Sequence, residues 1–398
     1  MKRTLLFIGA LLISTAIQAQ NYYVWVAAES EDVIQRVHFD ATTQTGTIDK
    51  TIDVGMIPTE IDGPHGMNVS LDGKYVFVSI AHGQPYGYLQ KFDAETGILV
   101  EQANLGLFPA SMEMSEATGF LYIVNFNLHG DMVPSTVSVV DPELMEVITE
   151  IPTGVMPHGS RLNEDGTRQY HVSMMTDELI ELDTEEMKES RRLPLVSSGM
   201  DNDHSGMDHS KMNHSAMDHS TMNHDSDEKK DHSEHSGMDH GSKKHEGMMH
   251  HNPVVKPTWA DPHPHKPLVY VAGNGSNEII EIDIEQWNIT RRFDTAKGPY
   301  NLEVSHDGKL LVVSYKGAGS TGVWDLETGT QLAEIPNSRK VTHGVTISPD
   351  NKYAFLSVEG IGGEPGSVDI IDLTNLTRAD VVETGKQAGG ITFWKQTD

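Results

Sequence analysis

The chain has 398 residues, 37% of them hydrophobic and 22% charged, with a formal net charge of -29 and no cysteine. That length can bury one large core, and all-β chains of this size commonly form a single domain. The acidic excess excludes nucleic acid and anionic membrane as main partners, because phosphate contacts need a basic patch, and the missing thiols exclude disulfides and a cysteine-linked lipid anchor.

Residues 1–19 open with Lys2 and Arg3, continue through an apolar run over 5–13, and reach small residues at Ala19. This pattern predicts a secretory signal cut after Ala19, with Ile17 an imperfect fit at the third position before the cut. No later run is long and apolar enough to span a membrane, so the expected location is periplasmic or secreted, without a membrane anchor.

Strands follow. "NYYVWVAAESEDVIQRVHFD" from Asn21 reads as two strands with no partner ahead of them. From Pro64, "PHGMNVSLDGKYVFVSIAHG" reads as an alternating strand, a tight Asp-Gly turn and a second apolar strand. "YLQKFDAETG" then adds a third strand and an Asp-x-x-Thr-Gly turn. Copies begin at Pro157 ("PHGSRLNEDGTRQYHVSMMT"), Pro299 ("PYNLEVSHDGKLLVVSYKG") and Thr342 ("THGVTISPDNKYAFLSVEG"), with diverged ones at Pro109 and Pro257. Tyr300 and His343, at matching positions, lie 43 residues apart, the period of a propeller blade.

Six units thus start with an inner strand and the first lacks one. "AGGITFWK" over 388–395 is a surplus strand at the other end. The two irregularities complement each other, which predicts an all-β, seven-bladed β-propeller closed by the C-terminal strand. Two packed β-sandwiches would leave that match unexplained. The expected division is a signal over 1–19, blades one to four over 20–197, an insert over 198–252, and blades five to seven with the closing strand over 253–398.

On these motifs the chain resembles the YVTN family of β-propeller repeat proteins. The P-x-G…S-x-D-G-K and V-x-V-x-D patterns carry the likeness, and "LVYVAGNGSNEIIEID" from Leu268 is the closest copy. The resemblance implies the fold and little about function, since such scaffolds host lactonases, haem and copper enzymes, and pure binding modules.

The insert is polar, rich in Gly, Ser and Asp, and poor in aliphatics, so disorder without a ligand is expected. Its recurring unit, His-Ser-x-Met, places His204, Met207, His209, Met212, His214, Met217, His219, Met222 and His224 on a five-residue beat, with His235, Met238 and His240 repeating it later. Thioethers are soft ligands for Cu(I) or Ag(I), and imidazole suits copper, zinc and nickel. Zinc or nickel would leave the methionines unexplained, so copper leads, with silver, nickel or zinc behind it. The "MDHS" and "HSxM" units resemble Met/His-rich stretches of periplasmic copper- and silver-resistance proteins.

Aligning the blades gives a second candidate. The residue after each blade-opening position is His65, Ala110, His158, Thr258, Tyr300 and His343. The loop after each second strand carries Glu29, His82, His129, Met174 or Met175, Asn274, Lys316 and Glu359. Both sets belong to one face of a propeller, as does the loop holding the insert. This places His65, His82, His158 and His343 as further metal ligands around the channel. His171 and His306 read as structural, and His263 and His265 fall on the opposite face. Nitrous oxide reductase is similar in fold and histidine placement alone, and the lack of cysteine for an electron-transfer copper argues against its activity.

The leading expectation is therefore a monomeric periplasmic copper-handling protein, not an enzyme, with a protein partner on the histidine face. A protein- or glycan-binding scaffold comes second. An enzyme, either a copper oxidoreductase or a lactonase-like hydrolase with Glu29 or Glu359 as base, comes third. No G-x-S-x-G elbow or phosphate loop supports other chemistry.

Overall fold

The computed structural model describes residues 20–56, 59–82, 87–196 and 252–398. Contacts divide the chain into Met1–Leu195 with Asn252–Asp398, and Val196–His251. The segment read as a signal and the Met/His segment, with all its candidate ligands from His204 to His240, lie outside the described residues. Among the described residues no helix is long and apolar enough to cross a membrane.

Seven four-stranded antiparallel sheets make up the fold. Blade two shows the pattern: inner strand Pro64–Val69, then Tyr75–Ile80, Gly87–Asp93 and outer strand Leu99–Leu105. Each inner strand packs on the next blade's inner strand, and the series returns to its start, so the sheets form a closed ring. Closure is by the last strand. Ala388–Thr397 pairs with Asn21–Ala28 and becomes the inner strand of blade one, as the surplus strand predicts.

Local sequence explains the turns. Between first and second strands, the side chains of Ser70, Asn163, Ser305 and Ser348 accept the backbone N–H of Tyr75, Arg168, Leu310 and Tyr353. The turn then needs a left-handed residue, supplied by Gly73 in blade two and Asn351 in blade seven. Between third and fourth strands, Asp93 and Asp325 accept the N–H three residues on, at Thr96 and Thr328.

The core lies between blades. Trp25, Ile34, Val76, Val78 and Phe92 fill the gap between blades one and two, and Tyr22, Phe39, Tyr353 and Phe355 that between seven and one. The second strands are buried on both faces. The outer strand Lys188–Pro194 alternates exposed and half-buried residues instead, which matches its lower apolar content.

Near the axis the blades approach so closely that glycine is required. A Cβ on Gly66 would stand 1.7 Å from the Ala110 carbonyl oxygen of the next blade, and one on Gly390 would stand 1.8 Å from that of His65. Backbone cannot step aside there as a flexible side chain would. Gly66→Ala is therefore expected to destabilise the fold by about 3 kcal/mol or more. Gly73→Ala, strained in φ but with open space around it, should cost about 1–2 kcal/mol. Urea denaturation of both variants against the parent checks the ranking.

Candidate functional site

Each blade-opening strand begins with an irregularity in pairing. In blades two, four and seven it falls between Pro64 and Met67, Pro157 and Ser160, and Thr342 and Val345. Such a bulge re-aims side chains, and the residue it holds in these blades is His65, His158 or His343. The His65 ring centroid lies 6.1 Å from that of His158 and 5.8 Å from that of His343. Blades two, four and seven are not neighbours, so these rings can meet only across the channel. Ala110 and Gly389, at the matching positions of the blades between them, leave room.

Hydrogen bonds orient two of the rings. His65 Nδ1 donates to Glu29 Oε1 at 2.7 Å, and Glu29 Oε2 accepts from Gln387 at 3.0 Å. His158 Nδ1 donates to the Thr258 carbonyl at 2.9 Å, which leaves the lone pair on Nε2. The Tyr300 hydroxyl donates to that lone pair at 3.1 Å, and its ring sits 4.7 Å from His343. All three histidines are buried, with His158 only 1% exposed.

Charge is concentrated around them. Burial, and after it the His65 charge, pushes the His158 imidazole down to about 3. Burial, followed by Lys316, His65 and His158, takes His343 well below its ordinary value. Burial alone would raise Glu29, yet His65, His82 and Lys316 outweigh it and hold the carboxylate below its usual range. Lys316 lies 3.3 Å from Glu359 and over the Tyr300 ring at 4.4 Å. Burial pushes the Tyr300 phenol up to about 12, against the pull of Lys316.

The chemistry available is that of three imidazole rings gathered around one space. A metal about 2 Å from three imidazole nitrogens holds the ring centroids roughly 5–6 Å apart, close to the spacing seen. A carboxylate and a backbone carbonyl on the outer nitrogens are the partners that metal-bound histidines usually have. Among the described residues, however, no group of three or more His, Cys, Asp or Glu is set to hold a metal ion as it stands. The Tyr300 hydroxyl on His158 Nε2 is one physical reason.

Of the four channel histidines expected from sequence, His65, His158 and His343 come together. The Phe108 ring packs on both His65 and His82, at 5.3 and 4.9 Å, and His82 sits beside His129 at 5.4 Å. His171 is buried in blade four against Thr153, in keeping with a structural role. His263 and His306 bond the Gly308 and Ile347 carbonyls at the turns of the other face. The roles of Tyr300 and Lys316 were missed. Tyr300 stands in the same aligned column as the histidines, so that column held the signal. Met174 and Met175, from the loop column aligned above, pack with Met156, Phe108 and Phe126 beside the trio.

Comparison with known proteins leaves the family open. No protein-family model and no curated protein matches the chain. Among solved structures it is similar to a protein from Lactobacillus plantarum, at 13% identity and TM-score 0.66, over 94% of this chain and 100% of that one. A functionally unknown protein from Desulfotomaculum acetoxidans matches at 12% identity and TM-score 0.63, over 94% and 98%. Kuenenia stuttgartiensis hydrazine synthase matches at 18% and TM-score 0.54, over 80% of each chain. These likenesses establish the fold alone.

Proposed function

We propose that this propeller handles a soft transition metal, copper before silver, outside the cytoplasm. The carrying observation is the meeting of His65, His158 and His343 across the channel, with two of their outer nitrogens already held by Glu29 and Thr258. Burial keeps His158 and His343 from carrying a second ring proton at neutral pH, so each has one nitrogen lone pair to offer. Tyr300 has to swing off His158 Nε2 for that nitrogen to serve. The Met/His units over 198–252 supply thioether and imidazole donors for capture, and the trio gives a fixed destination. The likeness of that segment to Met/His-rich stretches of metal-resistance proteins supports the same reading.

Titration with Cu(I) and Cu(II), in competition with a chromogenic chelator, tests it. The full chain is expected to bind several equivalents, and a chain lacking 198–251 a single tight one. That one is lost in His65→Ala/His158→Ala. Glu29→Gln, which removes the charge behind His65, should weaken it by about 10- to 100-fold. Loss of all tight binding on deletion would remove the channel site, and zinc binding as tightly as copper would remove the soft-metal reading.

A further inference from the structure

A cavity of about 640 Å³ runs from His65 and His343 down to the opposite face, where Ser70, Glu116 and Glu164 mark its rim. That is the size of a pocket for a small organic ligand. Its lining carries five carboxylates (Glu113, Glu116, Glu164, Asp261 and Glu303) against one cationic side chain, Arg161. Glu113, Arg161, Asp261 and Glu303 occupy the same position in four successive inner strands. One oxygen of each carboxylate in that belt accepts a backbone N–H of the next blade, from Leu162, Val304 and Ile347.

A second feature is independent of the acids. Asn301 is 4% exposed and Trp259 8%, both line the cavity, and neither Asn301 Oδ1 nor Trp259 Nε1 has a hydrogen-bond partner. Leu302 points into the core between sheets, so strand alternation turns Asn301 and Glu303 toward the axis. An unpartnered buried acceptor and donor mark a place where a ligand's polar group is expected. The chain already seats one cation here: the Arg161 guanidinium lies 5.0 Å over the Trp259 ring and 3.5 Å from Glu303.

We propose that this cavity binds an organic ammonium compound, its cation against Glu113, Asp261 and Glu303 and its apolar body against Trp259 and Phe393. A hard metal ion fits less well, because each belt carboxylate has given one oxygen to a backbone N–H and the walls are partly aromatic. The proposal does not depend on metal at the histidines.

Calorimetry on the full chain tests it, with tyramine, phenethylamine and spermidine as probes and tyrosol as the neutral match to tyramine. At least one amine is expected to bind at a single site, with tyrosol about tenfold or more weaker than tyramine. Glu113→Gln/Asp261→Asn should abolish that preference, while His158→Ala, outside the cavity lining, keeps it. Should the first variant misfold, as read by circular dichroism, Thr346→Phe carries the test: it fills the cavity without touching a carboxylate and should block binding. No binding of any amine, equal binding of tyrosol, or displacement of the amine by calcium would overturn the proposal.

Discussion

Removing Ala388–Thr397 and the last residue leaves a chain that does not fold cooperatively. The inner strand of blade one would be gone, and Asn21–Ala28, which carries buried Val24, Trp25 and Val26, would become an open edge. The same strand packs on the inner strands of blades two and seven, so its loss also opens the ring. Ile391 leaves the core between blades seven and one, with Phe393 packed on it, and Trp394 loses its bond to the Gly73 carbonyl. Each buried apolar side chain contributes about 1.5–3 kcal/mol, and a domain's net stability is about 5–15 kcal/mol. Several such losses together exceed that margin. Urea denaturation followed by circular dichroism should show no sigmoidal transition, and a synthetic peptide of residues 388–398 should restore one. A cooperative transition in the truncated chain would mean that the other six blades close without it.

Arg161→Met should be the most damaging single change in the channel. Arg161 is the cation facing Glu113, Asp261 and Glu303, and removing one partner of a buried charge set costs about 3–5 kcal/mol. The effect has a predictable pH sign. Burial raises Glu113 and takes Asp261 well above its ordinary value, while Arg161 opposes both shifts. A carboxyl raised on folding contributes stability that is complete below its unfolded pKa and is lost as pH rises through the folded one. Without Arg161 the folded values climb further, so the loss deepens toward neutral pH and above. Urea midpoints of parent and variant should lie closest near about pH 4 and furthest apart near about pH 8. Adding Glu303→Gln to the variant should recover part of the difference at the higher pH. A gap that is constant with pH would mean that Arg161 acts through its packing on Trp259 instead.

The repeat was legible because its determinants are local. The Ser-x-Asp-Gly and Asp-x-x-Thr-Gly turns act within a few residues, so each copy declares itself wherever it stands. The column containing His65, His158 and His343 was legible for the same reason: alignment of local repeats puts equivalent residues on one face. His82 shows the limit of that method. It belongs to the right face, but it packs against the Phe108 ring of the neighbouring blade, which His65 also touches, and no alignment reports which rings pack across a seam. Likewise the Tyr300 hydroxyl reaches His158 from two blades away, across the channel.

By itself, then, the sequence determined the blade count, the strand that closes the ring, and the residue type at each channel position. Those follow from periodicity, turn chemistry and the complementarity of an incomplete first unit with a surplus last strand. Only the tertiary structure decided which channel residues touch. It put the three imidazoles against Tyr300 and Glu29, ran a cavity beneath them, and set one guanidinium among three carboxylates, of which Asp261 is buried and Glu113 and Glu303 half-buried. The physical reason is that closure brings non-adjacent blades within a few ångströms of one axis, where sequence separation carries no information about distance.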